Sequence, residues 1–198
     1  MLDVLRTGRL VLHPVGTGDH RALLRHWTGP RVRRHLFDDR ILCAEQVTEI
    51  IEASLHDFAT EGYGLWALRF APPDTGPDAL DPFALLDPVP GAPLAGVVGL
   101  RRMEGPGHGL DVEIVYSLEP EHWGRGLAAE AARAVLDHAF EVLALPRVIA
   151  EIDEGNAASA EVAEHLGMRP YAGAFEGASD GLTRYVAERA GTPETVEA

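Results

Sequence analysis

Hydrophobic side chains recur with helical spacing in four stretches of this chain. The first stretch follows Asp19, a candidate N-cap, and the others cover residues 44–60, 127 to about 143, and 156–166. In each stretch the apolar residues return every three or four positions and leave the opposite face polar. The pattern therefore predicts four amphipathic helices, each burying one face.

Shorter apolar segments between these helices have the length and composition of β-strands. The predicted strands cover residues 9–15, 63–70, 93–103, 110–118, 148–152, 168–175 and 182–188. Residues 71–93 are rich in proline and aspartate and lack periodicity, which predicts a long loop outside the core. The resulting order, β-α-α-β-β-β-α-β-α-β-β, predicts an α+β domain with a mixed sheet.

One turn in this order has the form of an anion site. The segment from Trp123 to Ala129 reads WGRGLAA, follows a predicted strand and opens a predicted helix. Gly124 and Gly126 allow the backbone to approach an anion closely, and the first N–H groups of a helix have no partner within it. Arg125 adds a cation beside them. The segment lacks the Gly-Lys-Ser/Thr of a Walker loop, and no G-x-G-x-x-G follows the strand.

Three segments of the chain match the motifs of a known family. Residues 7–14 read TGRLVLHP, residues 120–131 read PEHWGRGLAAEA, and residues 156–168 read NAASAEVAEHLGM. In this order and spacing they resemble the opening strand, the pyrophosphate-binding turn and the N-x-x-S helix of the GNAT N-acetyltransferases. Within that family they are similar to the branch of ribosomal-protein alanine N-acetyltransferases, the RimJ/RimL-like enzymes.

The resemblance implies a GNAT-type fold, a mixed and mostly antiparallel twisted sheet flanked by helices. In that fold the central strands, here 110–118 and 148–152, splay apart around acetyl-CoA. The resemblance gives a single N-acetyltransferase domain over residues 7–188, followed by a frayed tail at 189–198. The cofactor-binding residues that it implies are Val115, Tyr116, Ser117, Leu118, Trp123, Gly124, Arg125, Gly126, Leu127, Ala128, Ala129 and Asn156.

Two residues are candidates for proton transfer. The resemblance places Ser159 near the thioester sulfur, where it would protonate the leaving thiolate, and makes Glu113 the candidate general base. Both have structural alternatives: Ser159 and Asn156 would belong to a helix cap, and Glu113 would be a partnered carboxylate on the sheet. Tyr171 is a second candidate for the acid. Transfer is expected to be direct, in a ternary complex, with no acetyl-enzyme.

The acceptor side is predicted from aromatic residues. Trp27, Phe37 and Trp66 are the candidate substrate residues, and core packing is the alternative for each. The resemblance implies a primary amine as the acceptor, either a protein N-terminus or a small amine. The competing interpretation is a catalytically degenerate module that binds acyl-CoA and regulates another process. A different acyl donor also stays open.

The composition of the chain limits the classes of partner and of site that are expected. The net charge is −14 and all 17 basic residues are arginine, which argues against nucleic-acid binding and is compatible with a cationic substrate. No apolar run reaches the length of a membrane span and no signal peptide is predicted, so a cytoplasmic protein is expected. The histidines lack metal-ligand spacing, so no metal is predicted. The single cysteine, Cys43, is predicted to be a small buried or half-buried residue. A homodimer stays open.

Overall fold

Eight strands form one mixed sheet in the computed structural model, which describes residues 4–71, 92–103, 111–171 and 181–189. The order in the sheet is β1-β2-β3-β4-β5-β6-β8-β7, and every neighbouring pair is antiparallel except β5 with β6. This arrangement confirms the predicted α+β class with a mostly antiparallel sheet. The strands are β1 (Leu5–Arg6), β2 (Leu10–Pro14), β3 (Leu65–Phe70), β4 (Gly96–Arg102), β5 (Val112–Leu118), β6 (Arg147–Asp153), β7 (Arg169–Pro170) and β8 (Leu182–Glu188).

Four α-helices accompany the sheet: α1 (His20–Thr28), α2 (Ala44–Thr60), α3 (Leu127–Asp137) and α4 (Ala157–His165). The bounds of α2 are those that its apolar periodicity predicts. Its start is fixed by a reciprocal cap, in which the Cys43 N–H donates to Gln46 Oε1 at 2.9 Å. The predicted helix from 127 to about 143 instead ends as an α-helix at Asp137 and continues as a π-helical turn, His138–Val142.

The sheet opens between β5 and β6. These parallel strands pair at one position, Glu113 opposite Ile149, whereas β4 and β5 pair along their whole length from Gly96 and Leu118 to the other end. Beyond Glu113 the two strands diverge toward their C-terminal ends. Within the described residues, the backbone of the second half of β5 therefore has no strand partner on one side, as the predicted splaying requires.

The two faces of the sheet carry separate cores, because successive strand residues point in opposite directions. Val98 belongs to a core beneath α3 and α4, and its neighbour Val97 belongs to a core beneath α1 and α2. Trp66 belongs to the first of these cores. The two cores hold the helices on opposite faces of the sheet. The gap between β5 and β6 is therefore open to both faces.

Several boundaries and roles differ from the sequence-based predictions. A strand that was not predicted, Leu5–Arg6, pairs with β2 and precedes the predicted domain start at residue 7. Asp19 precedes α1 but does not cap it, because its carboxylate accepts the Gly16 N–H and pairs with Arg69. Cys43 is exposed rather than buried or half-buried.

Some predictions fall outside the described residues. They concern most of the loop at 71–93, the second half of the predicted strand 168–175 and the tail after residue 189. Arg189, at the start of that predicted tail, donates its N–H to Pro146 O at 3.0 Å and so continues the register of β8 beside β6.

Candidate active site

The turn before α3 presents backbone N–H groups to a large cleft. Gly124 and Gly126 have φ angles of 68° and 70°, in the left-handed region that favours glycine, and Gly126 is the N-cap of α3. The first bond of the helix runs from the Glu130 N–H to Gly126 O at 3.1 Å. The N–H groups of the three residues between them therefore have no intrahelical acceptor. Together with the positive end of the helix dipole, these donors suit an anion.

The large cleft has a volume of about 1260 Å³ and extends from this turn to the first turn of α4. Ten of the twelve predicted cofactor-binding residues line it, and the exceptions are Val115 and Arg125. Residues that the sequence did not point to also contribute, among them Arg31 and Arg133. The predicted residues that line it are Tyr116, Ser117, Leu118, Trp123, Gly124, Gly126, Leu127, Ala128, Ala129 and Asn156.

Trp123 lies at the rim of the large cleft. Its side chain is 44% exposed, its Nε1 donates to Leu118 O at 2.8 Å, and the Arg31 guanidinium stacks over its ring at 4.7 Å. Arg133, on α3, donates to Leu166 O at 2.7 Å. With Arg34, which also lines it, the cleft is thus bordered by three arginine side chains in addition to the helix N-terminus.

Arg125 does not lie where the sequence predicts. Its guanidinium stacks over the Phe70 ring, 5.5 Å from the centroid, and approaches the His122 ring. Its backbone carbonyl accepts a bond from Arg9 Nη1 at 2.9 Å. The aromatic partner holds the side chain away from the cleft, so only the backbone of this residue belongs to the turn.

A small cavity of about 500 Å³ lies on the α1–α2 side of the sheet. Its lining combines aromatic residues with charged residues, among them residues of β5 and β6. Val115 faces this cavity and not the large cleft. The lining includes Trp27, Phe37, Ile50, Asp57, Arg101, Glu113, Val115, Glu151 and Asp153.

The large cleft and the small cavity meet where β5 and β6 part. Seven residues line both spaces, and they come from the segment after α1, from β5 and from the start of α4. We call this set the junction: Arg34, His35, Leu36, Tyr116, Ser117, Asn156 and Ser159. A molecule in the large cleft and another in the small cavity would come into contact here.

Ser159 is held at the junction by its backbone. Its N–H donates to Asn156 Oδ1 at 3.3 Å, and its carbonyl accepts the Tyr116 hydroxyl at 2.9 Å. Burial raises the pKa of Tyr116 to about 12, so the phenol stays protonated and continues to donate. Asn156 therefore caps α4, as the structural alternative proposed. Neither of these two hydrogen bonds of Ser159 involves its hydroxyl group.

Glu113 is a partnered carboxylate. It is 5% exposed, lies opposite Arg101 in the sheet, and its Oε2 is 2.6 Å from Arg101 Nε. Burial raises the pKa of Glu113, and the Arg101 guanidinium opposes that rise. This geometry agrees with the alternative of a carboxylate paired within the sheet. The role of Glu113 as a general base stays a prediction.

Further carboxylates surround the small cavity. Glu151 pairs with Arg184 at 2.6 Å, and Asp153 lies 3.1 Å from His35 Nδ1. Asp57, on α2, is half-buried, and burial raises the pKa of its carboxyl. The small cavity therefore combines an aromatic wall with several acidic groups.

The three predicted substrate aromatics separate into two groups. Trp27 and Phe37 line the small cavity and contact each other edge to face, with centroids 5.7 Å apart. Trp66 lies in the core, is 0% exposed, and packs edge to face on Phe58 at 4.7 Å. A side chain without exposed surface cannot meet a substrate, so the prediction for Trp66 is corrected to core packing.

Tyr171, the second candidate acid, lies away from both spaces. Its hydroxyl is 3.2 Å from Arg147 Nη1, and its ring packs beside Met103 and Ile149. The phenol that reaches the junction is Tyr116, which the sequence marked only for its backbone.

Sequence reasoning missed two residues behind the junction, His26 on α1 and Glu119 after β5. The His26 side chain is almost fully buried, its Nε2 is 2.8 Å from Ser117 Oγ, and its Nδ1 is 3.2 Å from Glu119 Oε1. His26 and Ser117 are 91 positions apart in the chain. No local pattern links them, and only the packing of α1 on the sheet brings them together.

No cluster of three or more His, Cys, Asp or Glu side chains within the described residues is placed to hold a metal ion. None of the helices described is long and apolar enough to cross a membrane.

Residues 9–169 match a family profile described as the acetyltransferase (GNAT) domain. This range runs from β2 to the start of β7 and includes the turn, the junction and every residue that lines the two spaces except Leu182. The chain therefore belongs to the GNAT acetyltransferase family.

Two curated relatives come from Bacillus. The uncharacterized protein YkkB of Bacillus subtilis is 49% identical over 57 residues, which are 29% of this chain and only 33% of that protein. The uncharacterized N-acetyltransferase p20 of Bacillus licheniformis is 24% identical over 168 residues, which are 85% of this chain and 83% of the relative. The first match is close but local, and the second is distant but spans most of both chains.

Solved structures show the same fold. An acetyltransferase from Agrobacterium tumefaciens aligns with a TM-score of 0.74 at 25% identity and covers 96% of each chain. RimL, a ribosomal-protein acetyltransferase in complex with coenzyme A, aligns at 0.69 with 15% identity over 94% of this chain and 98% of that one. A spermidine N-acetyltransferase from Vibrio cholerae with CoA and spermine aligns at 0.66 with 17% identity, over 91% and 95%. The last two likenesses show the fold alone.

Proposed function

We propose that this acetyltransferase transfers an acetyl group from acetyl-CoA directly to a primary amine, in the manner of RimJ/RimL-like enzymes. The observation that carries the proposal is the junction, where seven residues line both the large cleft and the small cavity. A donor in one space and an acceptor in the other would meet there without passing through solvent. Bringing two reactants together in one site is a major source of rate enhancement.

The large cleft suits coenzyme A in charge and in shape. The N–H groups at the start of α3, with Arg31 and Arg133 nearby, suit a pyrophosphate. The unpaired edge of β5 at Ser117 and Leu118 suits an extended amide chain, which would add to the sheet as a strand does. The CoA named for RimL and for the spermidine N-acetyltransferase, which share this fold, supports the same ligand here.

The small cavity suits a cationic amine. Glu113, Glu151, Asp153 and Asp57 border it. Carboxylates attract an ammonium group, and the net charge of −14 favours its approach. Trp27 and Phe37 would contact the apolar part of the acceptor. Both a protein N-terminus and a small amine fit this description.

The residues at the junction have distinct parts in the proposed reaction. Acetyl-CoA supplies a thioester whose acyl carbon a neutral amine attacks. Ser159 would donate its hydroxyl proton to the departing thiolate, while Asn156 and Tyr116 fix its backbone. No residue needs to carry the acetyl group, and Cys43, the only cysteine, lies at the start of α2 and not in either space.

A screen of acceptors tests the proposal. Thiol release from acetyl-CoA is measured across short peptides with free N-termini, polyamines and other primary amines, with propionyl-CoA as a second donor. The Cys43→Ala variant is used, because the exposed thiol of Cys43 would itself react with the thiol reagent. We expect amine-dependent release with at least one class of acceptor, and faster release with acetyl-CoA than with propionyl-CoA.

Calorimetry with coenzyme A separates the two ways in which that screen can fail. Tight CoA binding without turnover of any amine would favour the non-catalytic acyl-CoA-binding module. Absence of CoA binding would contradict the assignment of the large cleft.

A further inference from the structure

Three side chains form a chain of polar contacts that starts at the junction with Ser117 and continues behind it through His26 to Glu119. Ser117 Oγ is 2.8 Å from His26 Nε2, and His26 Nδ1 is 3.2 Å from Glu119 Oε1. The three residues come from β5, from α1 and from the loop that follows β5. Ser117 lines both the large cleft and the small cavity, whereas His26 lies behind it in the protein.

The chemistry of the three groups fixes the direction of their protons. An ionised carboxylate only accepts, so the His26 ring proton belongs on Nδ1, facing Glu119. The Nε2 lone pair then accepts, and the Ser117 hydroxyl donates to it. A hydroxyl bound to an imidazole that a carboxylate orients is the arrangement used to activate serine side chains in enzymes.

The surroundings of His26 keep it in the neutral form. The side chain is 1% exposed, and burial lowers its pKa, while the nearby Glu119 carboxylate opposes that fall. Glu119 Oε1 is at ion-pair distance from Nδ1 but is not aligned as a hydrogen bond, so Nδ1 is without an aligned partner among the described residues. A neutral imidazole can accept a proton, and the carboxylate would stabilise the imidazolium that results.

We propose that Ser117, His26 and Glu119 form a proton relay that deprotonates the acceptor amine. Ser117 meets the amine, His26 is the base behind it, and Glu119 positions and stabilises His26. This inference rests on the proposed acetyl transfer. It assigns the base to α1 and β5 rather than to Glu113, whose carboxylate is paired with Arg101.

The step balances in atoms and protons. The amine nitrogen forms a bond to the acyl carbon and loses one proton to Ser117 Oγ, while the Ser117 hydroxyl proton passes to His26 Nε2. The carbon–sulfur bond breaks, and the thiolate takes the hydroxyl proton of Ser159. His26 then releases one proton to water and Ser159 recovers one from water, so that neutral amine and thioester yield amide and thiol.

Substitution of Ser117 is the first test, made with the best acceptor from the screen. Loss of a general base typically lowers a rate by about 10²–10⁴-fold. Ser117→Ala is expected to lower kcat by at least about 10²-fold with CoA affinity unchanged, because Ser117 would contact the donor through its backbone. Ser117→Thr keeps a hydroxyl and is expected to restore most of the rate. His20→Gln, on the same helix and outside both spaces, is the matched control for His26→Gln.

The pH dependence distinguishes a relay from a structural contact. The charged group that faces His26 is Glu119, which raises the pKa of the imidazole, so Glu119→Gln is expected to lower that pKa further. The acid limb of kcat/KM should then move to lower pH in Glu119→Gln, and its plateau should fall because the base is weaker. The amine titrates identically in both proteins, so the comparison cancels its contribution.

Nuclear magnetic resonance gives a readout that does not depend on turnover. The His26 imidazole is titrated in the protein without acyl donor, with its signal assigned by its loss in His26→Gln. We expect a midpoint below the ordinary 6.5 and a further fall in Glu119→Gln.

Three results would overturn the relay while leaving acetyl transfer intact. The first is a Ser117→Ala enzyme with the kcat of the unsubstituted protein. The second is an acetyl group on Ser117 in intact-mass analysis, which would make the serine a nucleophile. An acid limb that does not move in Glu119→Gln although the His26 midpoint does would also exclude His26 as the base. Failure of acetyl transfer itself would instead appear as absence of turnover in the unsubstituted protein.

Discussion

At the scale of single residues, Ser159 tests the proposed acid. Its contacts to Asn156 and Tyr116 involve backbone atoms, so removal of the hydroxyl should leave the helix start intact. Ser159→Ala is expected to lower kcat by about 10²–10⁴-fold with little change in CoA affinity, by steady-state kinetics and calorimetry. Ser159→Thr, which keeps a hydroxyl, serves as the control. Unchanged kcat in Ser159→Ala would return the residue to a purely structural role.

Glu113 tests the effect of burial on a carboxylate. Burial raises its pKa above the ordinary 4.5, despite Arg101, so folding favours the protonated form. Its contribution to stability is complete below the unfolded pKa and is lost as the pH rises through the higher folded pKa. The stability of Glu113→Gln relative to the unsubstituted protein should therefore increase with pH above 4.5, measured by urea unfolding.

The exposed residue Glu49 gives the matched control, since Glu49→Gln makes the same change in net charge on the outer face of α2. A free energy of unfolding of Glu113→Gln that falls relative to that of the unsubstituted protein as the pH rises would contradict the account. The same variant also separates two candidate bases, because a relay through His26 predicts a kcat within a few-fold of normal.

Trp66 and Phe37 should respond in opposite ways to truncation. Trp66→Leu leaves a void in a closed core and is expected to cost on the order of 3 kcal/mol of stability, with acceptor KM unchanged. Phe37→Leu removes one edge-to-face partner of Trp27 and should cost less than about 1.5 kcal/mol, but raise the acceptor KM. Chemical unfolding and steady-state kinetics on both variants check the pair. A raised KM in Trp66→Leu with normal stability would restore it to the substrate site.

At the scale of elements, the turn before α3 can be tested against a glycine of matched conformation. Gly126 and Gly167 both have positive φ, and an added Cβ meets nothing closer than 3.7 Å at Gly126 and nothing within 4 Å at Gly167. Alanine at either position should therefore cost a similar 1–2 kcal/mol, roughly, in backbone strain. Only Gly126 lines the large cleft, so Gly126→Ala should weaken CoA binding and Gly167→Ala should not. Equal CoA affinity in the two variants, by calorimetry, would contradict the assignment of the turn.

The elements themselves were largely predictable, because periodicity reports burial. The apolar spacing from Val47 to Phe58 fixes α2 to the residue, and alternating or continuous apolar runs locate the longer strands. The two-residue strands β1 and β7 are too short to have a period. The end of α3 was not predicted, because the apolar pattern does not distinguish an α-helix from the π-helical turn that continues it at His138–Val142.

The parts of the site that backbone groups form could be predicted from the sequence. The parts that depend on side-chain contacts between distant residues were less predictable. The glycine turn was found because its conformation restricts the residue type. Arg125 was misplaced because a stacking partner, Phe70, lies far from it in sequence. His26 could not be predicted from the sequence, because only its contacts with Ser117 and Glu119, which are distant in the chain, indicate a role for it.

At the scale of the whole molecule, the sheet separates two spaces and joins them at one place. The α3–α4 side carries the large cleft, the α1–α2 side carries the small cavity, and the divergence of β5 from β6 connects them. In the proposed reaction the two reactants would reach the junction from opposite faces, which is the arrangement that direct transfer requires.

The most direct test is a single-turnover reaction followed by intact-mass analysis of both protein and amine. The unsubstituted protein is mixed with less than one equivalent of acetyl-CoA, with and without the best acceptor, and quenched at successive times. The account predicts that the amine gains one acetyl group at the rate at which CoA appears, while the mass of the protein never changes. An acetylated protein that forms without amine and then decays as the amine is added would contradict it.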